Sequence, residues 1–137
     1  MSEKIKNFHQ SSIDSTDEFW AEQAKLIHWN SSFEQVLDYS NPPFAKWFVQ
    51  GKTNLCFNAI DRHLDERSDQ AAIVYVSTET NAEESISYKE LFQRVNSFSS
   101  LLRSCDVSKG DRVLIYMPMI PEAVYAMLAC VRIGAVH

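Results

Sequence analysis

The chain has 137 residues, of which 45% are hydrophobic and 23% are charged, and its net charge is −5. This balance is typical of one modest globular domain, and it excludes intrinsic disorder, a collagen-like repeat and an unassisted nucleic-acid surface, which needs basic residues. Three separated cysteines without a CxxC pair argue against a disulfide framework or a zinc ribbon. The polar N-terminus and the short apolar runs lead us to expect a protein of the cytoplasm.

The first predicted elements lie in an aromatic-rich region. Ser15 and Glu18 have the spacing of a capping box, which predicts a helix over residues 16–28. The prolines at 42–43 interrupt the stretch 29–54, for which we predict irregular structure with short extended pieces on either side of the prolines.

A second helix is predicted over residues 55–66, with Asn54 as its N-cap. Its apolar side chains form one stripe, and the opposite face is predicted to be exposed to solvent. The charged residues of that exposed face are Asp61, Arg62, Asp65, Glu66 and Arg67.

The pattern changes after residue 70. Residues 71–76 have the composition of a strand, and we predict a hairpin partner around residues 86–88. Ser87 and Glu90 form a second capping-box pattern, which predicts a helix that ends near Cys105.

The last part of the chain continues this alternation. A turn at 108–111 precedes a strand of buried type at 112–116, and Pro121 suits the first position of a helix over 121–133 that stops at Gly134. The order strand, helix, strand, helix predicts an α/β fold with a parallel sheet and crossover helices.

The predicted organisation is an N-terminal appendage over residues 1–67, followed by the first strand–helix units of an α/β domain over residues 68–137. A parallel sheet needs cover on both faces, and the sequence after residue 70 supplies few covering elements. We therefore expect an incomplete sheet that belongs to a larger fold. The predicted free apolar surface would promote self-association, and its residues are Val124, Met127, Leu128 and Val131.

Two groups of polar residues suggest sites but have simpler interpretations. His63 lies near Asp61 and Asp65, yet helical residues two apart face different directions, so we interpret them as a solvated helix end. Lys109 and Arg112 flank a turn without a cluster of glycines, which favours a solvated turn over a phosphate site.

The segment 117–121 follows a predicted strand at the position where α/β proteins bind ligands, and both a substrate contact and a structural role are open for it. Among the cysteines, Cys130 is predicted to fill the core. Cys105 has Asp106 beside it, and a neighbouring anion disfavours a thiolate, so no activated thiolate is expected.

Residues 110–123 (GDRVLIYMPMIPEA) and 127–137 (MLACVRIGAVH) resemble the early signature of the AMP-forming short-chain acyl-CoA synthetases, the acetate– and propionate–CoA ligases. Upstream, residues 19–24 (FWAEQA) and 58–63 (NAIDRH) resemble the N-terminal region that these ligases place before their AMP-binding domain. Residues 38–48 (DYSNPPFAKWF) are more similar to propionate–CoA ligases than to acetate–CoA ligases.

The resemblance implies a parent enzyme that converts a short-chain carboxylate and ATP into an acyl-adenylate and then transfers the acyl group to CoA, with Mg as cofactor. The phosphate-binding loop and the catalytic lysine of the family are absent from this sequence, which has three separated glycines. We therefore assign no catalytic, cofactor-binding or metal residue, and we expect the chain alone to be inactive. The alternative is a shortened paralogue that acts as a non-catalytic interaction module.

One position departs from the family pattern. Asp106 stands where the family usually has glycine, and aspartate tolerates a left-handed backbone better than most residues. We expect local strain there and no change of fold.

Overall fold

A computed structural model describes residues 2–137, which form two compact units that divide between Thr53 and Asn54. The elements of the first unit are α1 (Glu3–Asp14), α2 (Thr16–Ala24), β1 (Gln35–Asn41) and β2 (Phe44–Val49). Those of the second are α3 (Leu55–Ala59), a 3-10 turn (Asp61–His63), α4 (Leu64–Arg67), β3 (Ala71–Ser77), β4 (Ala82–Ser87), α5 (Tyr88–Ser104) and α6 (Pro121–Ile133). No helix among residues 2–137 has the length and apolar character needed to cross a membrane.

The first unit begins with a helix that the sequence did not predict. α1 ends at Asp14, and α2 begins two residues later and stops at Ala24, short of the predicted residue 28. The predicted capping box at Ser15 is wrong, because the Ser15 side chain makes no capping hydrogen bond. Its backbone N–H donates to the carbonyl of Ser11 at 3.1 Å, so Ser15 closes α1 as well as preceding α2.

The proline-containing stretch is a β-hairpin. The prediction of irregular structure is therefore wrong, whereas the predicted extended pieces on either side of the prolines are confirmed. β1 and β2 pair in antiparallel fashion, with Leu37 opposite Trp47 and Gln35 opposite Val49. Pro42 and Pro43, joined by a cis peptide bond, occupy the turn. Proline lacks a backbone donor and is tolerated there rather than inside a ladder.

Asn54 is the N-cap of α3, as predicted, since its side-chain oxygen accepts a hydrogen bond from the Phe57 N–H at 3.1 Å. The predicted continuous helix 55–66 is wrong, because Ile60 leaves helical geometry with φ −125° and ψ −65°. Ile60 is fully buried. The break turns its side chain into the core and divides the helix into α3, the 3-10 turn and α4.

The second hairpin and the helix after it are present as predicted, but the partner strand starts earlier, at Ala82, and Tyr88 belongs to α5 and not to the strand. β3 and β4 are antiparallel, with Ile73 opposite Ile86. The Ser87 hydroxyl accepts a hydrogen bond from the Glu90 N–H at 3.2 Å, and the Glu90 carboxylate accepts one from the Ser87 N–H at 2.8 Å. This reciprocal cap starts α5, which ends beside Cys105. Asp106 has φ +62°, the left-handed backbone expected at that departure from the family pattern.

α6 has the predicted bounds and ends at Gly134 with φ +81°. It packs against α5 around a core cluster whose members are Cys56, Ile60, Ile86, Leu91, Val95, Tyr125 and Ala129. Leu128 and Val131 pack against this cluster, so the prediction that they lack a partner within the chain is wrong.

The predicted strand 112–116 is neither a regular strand nor buried, because Arg112 alone within it takes part in a β-bridge. A single parallel bridge joins Arg112 to Val136, and α6 crosses between these two segments as in a βαβ unit. Leu114 is 92% exposed and Tyr116 is 97% exposed, so the prediction of a buried strand is wrong. A strand of this type is buried only where both faces are covered, and here one face is covered. The fold is a mixture of helices and small two-stranded sheets, which confirms the predicted α/β class with an incomplete sheet.

Candidate functional site

A groove of about 370 Å³ lies beside the N-terminus of α6 and contains the segment predicted to be either a ligand contact or a structural element. One wall is the end of β3 with the following turn, residues 75–80, and the other is residues 118–120. The structure therefore places part of the 117–121 segment against the β3–β4 turn, a neighbour that the sequence pattern does not indicate.

Most of the residues that line this groove are uncharged. Its one charged lining residue is Glu79, and the side chain of Ser77 accepts a hydrogen bond from the Thr80 N–H at 3.3 Å within the turn. The described lining residues include no cation and no nucleophile–base pair. An anionic phosphate would meet a carboxylate there, so the groove suits a neutral or apolar group.

The turn at 108–111 uses three backbone donors internally, those of Ser108, Gly110 and Asp111. The Ser108 N–H donates to the Asp111 carboxylate at 2.7 Å, and the Gly110 N–H donates to the Gly134 carbonyl at 2.9 Å. The alkyl chain of Lys109 packs against Gly134 at the C-terminal end of α6, where a cation is favourable. These amides do not form a cradle for phosphate, and Lys109 and Arg112 are exposed.

The structure separates the three residues of the predicted solvated helix end. The His63 ring packs edge-on to Tyr88, with centroids 5.7 Å apart, whereas Asp61 forms an ion pair with Arg132. Asp61 therefore does not belong to a solvated face, which corrects that part of the interpretation. Residues 2–137 contain no group of three or more metal-ligating side chains.

A polar cluster that the sequence did not reveal surrounds Arg132, in the last turn of α6. Its two terminal nitrogens donate to the two carboxylate oxygens of Asp61 at 2.9 and 2.7 Å. The guanidinium carbon also lies 5.2 Å from the centroid of the Phe92 ring. Burial by itself lowers the pKa of Arg132, but the hydrogen bonds and charge of Asp61 contribute to a net rise, so the group stays charged.

Asn54 belongs to the same cluster and serves two helices. While its oxygen caps α3, its amide nitrogen donates to the last carbonyls of α6, those of Val131 at 3.1 Å and Arg132 at 3.3 Å. Cys56 lies fully buried nearby, and burial raises the pKa of its thiol despite the opposing charge of Arg132. Burial likewise raises the pKa of the Cys130 thiol. These groups join elements of the second unit and offer no reactive thiolate.

Two family models match consecutive parts of the chain. The model described as acetyl-coenzyme A synthetase N-terminus matches residues 5–59, and the model described as AMP-binding enzyme matches residues 60–137. The chain is therefore covered almost from end to end, with the second match beginning close to the division between the two compact units. The predicted boundary at residue 67 stays a prediction.

Individual relatives agree with the family models. The propionate–CoA ligase of Escherichia coli (strain K12) is 53% identical over 133 residues, which are 97% of this chain and 21% of that protein. The acetyl-coenzyme A synthetase of Desulfatibacillum aliphaticivorans is 44% identical over 136 residues, 98% of this chain and 21% of that protein. The chain thus spans about one fifth of the length of these curated relatives.

A solved structure has the same fold. The acetoacetyl-CoA synthetase from Streptomyces lividans superposes with a TM-score of 0.86 at 34% identity, covering 93% of this chain and 20% of that one. Sequence and structure together show that this chain belongs to the AMP-binding enzyme family and matches the N-terminal region of its short-chain acyl-CoA synthetases.

Proposed function

We propose that the chain serves as the N-terminal part of an AMP-forming propionate–CoA ligase. Such an enzyme joins propionate to CoA through a propionyl-adenylate and uses ATP, Mg and CoA. The observation that carries the proposal is the continuous match to both family models, together with the 53% identity to a propionate–CoA ligase against 44% to an acetyl-coenzyme A synthetase. Acetate is the competing substrate.

Within that enzyme the contribution of these residues is structural, and we infer that the chain has no ligase activity by itself. Adenylation needs backbone donors and cations placed where charge develops on the phosphates. The backbone donors of Ser108, Gly110 and Asp111 are bonded within the protein, and the groove at α6 carries a carboxylate. The net charge of −5 further disfavours binding of a polyanion.

Pyrophosphate release tests the inactivity. The purified chain is incubated with ATP, Mg and CoA together with propionate or acetate, and turnover is compared with a control without protein. We expect no difference, and calorimetric titration should show ATP and CoA binding weaker than about 1 mM, roughly −4 kcal/mol. Turnover above the control, or tighter binding, would mean that a nucleotide or CoA site lies within these residues.

Substrate preference is tested on a longer gene product. The nucleotide sequence is read beyond the codon for His137, and an open frame that continues into a glycine-rich phosphate loop supports the ligase. For the enzyme it encodes, we expect a higher kcat/KM for propionate than for acetate, by about 10-fold or more, since one methylene in a pocket is worth about 1–3 kcal/mol. Equal values for the two acids would contradict the preference without affecting the family assignment.

A second candidate function is a non-catalytic interaction module. The large exposure of Leu114, Tyr116 and Met119 favours it, because grouped apolar side chains at a surface mark interaction sites. A stop codon directly after His137, combined with normal expression of the short chain, would support this function over the first.

A further inference from the structure

We draw no further inference here: the strongest candidate, the groove between the β3–β4 turn and residues 118–120 at the start of α6, is open and lined mostly by uncharged residues, and nothing in the structure shows what covers it.

Discussion

Arg132 and Asp61 are 71 residues apart in the sequence and form a two-pronged ion pair, with N–O distances of 2.9 and 2.7 Å. The pair joins the end of α6 to the 3-10 turn after α3, and the two side chains are 21% and 18% exposed. Because both side chains are partly buried, removing either one would leave the other charge without its partner and without most of its hydration.

A double-mutant cycle tests this pair. Asp61→Asn and Arg132→Gln should each lower the free energy of unfolding by about 2–3 kcal/mol, less than the 3–5 kcal/mol of a fully buried pair. The double variant should lose less than the sum of the single variants, and urea unfolding measures all three. Arg132→Lys is the control for geometry, and it should recover only part of the coupling, since an ammonium cannot reproduce the fork. Strict additivity would show that the pair contributes nothing.

The double role of Asn54 gives a second prediction. Asn54→Ala removes the cap of α3 and the amide bonds to the α6 carbonyls, and it should cost about 2 kcal/mol, the upper part of the range for a cap. Asn54→Asp keeps an acceptor for the Phe57 N–H but has no amide donor for the carbonyls, so urea unfolding should give an intermediate value. If Asn54→Asp lowers the free energy of unfolding as much as Asn54→Ala does, then the capping acceptor makes no separate contribution, which would contradict the prediction.

The two capping-box sequences provide a matched comparison. Ser87→Ala removes a cap that the structure contains and should lower the free energy of unfolding by about 1 kcal/mol. Ser15→Ala changes the same residue type where no capping hydrogen bond exists, and its effect should stay within about 0.5 kcal/mol. Chemical denaturation of the two variants beside the parent chain checks both values, and equal losses would show that the Ser15 cap does form.

The cap at Ser87 also predicts a pH dependence. Hydrogen bonds from the backbone and then the side chain of Ser87 lower the pKa of Glu90 below its ordinary value. A depressed pKa in the folded state stabilises the protein above the unfolded pKa, and this stabilisation is lost as the pH falls through the folded value. Thermal melts across acidic pH should therefore show a smaller decline for Glu90→Gln than for the parent. Identical declines would exclude this contribution.

Alanine substitutions at the two glycines with positive φ distinguish the cost of a left-handed backbone from the cost of steric crowding. At Gly110, φ is +92° and an added Cβ would meet nothing within 4 Å, so Gly110→Ala should cost about 1–2 kcal/mol from the left-handed backbone alone. At Gly134, φ is +81° and an added Cβ would lie 2.9 Å from Lys109 Cγ, so Gly134→Ala should cost more. The excess, measured by urea unfolding, should shrink in a Lys109→Ala background. If Gly134→Ala remains just as much more costly than Gly110→Ala in the Lys109→Ala background, the difference comes from the backbone and not from crowding by Lys109.

The sequence by itself determined those elements whose signals are local. The β3–β4 hairpin, the cap at Ser87, α5 and both ends of α6 depend on turn residues, capping spacing and periodicity within a few residues, and the structure contains all of them, with the bounds of β4 shifted towards the turn. The place of the 117–121 segment at the start of α6 was predictable for the same reason. The family was also evident from the order of residues 110–137.

Tertiary structure decided the rest, because the deciding contacts join residues far apart in the chain. Ser15 and Ser87 carry the same local pattern, yet only Ser87 caps its helix, since Ser15 already closes α1. Asp61 has the sequence context of a solvated face, and only the packing of α6 brings Arg132 to it. The segment 112–116 has an apolar composition, but its pairing and burial depend on which elements lie beside it, and no local pattern contains that information.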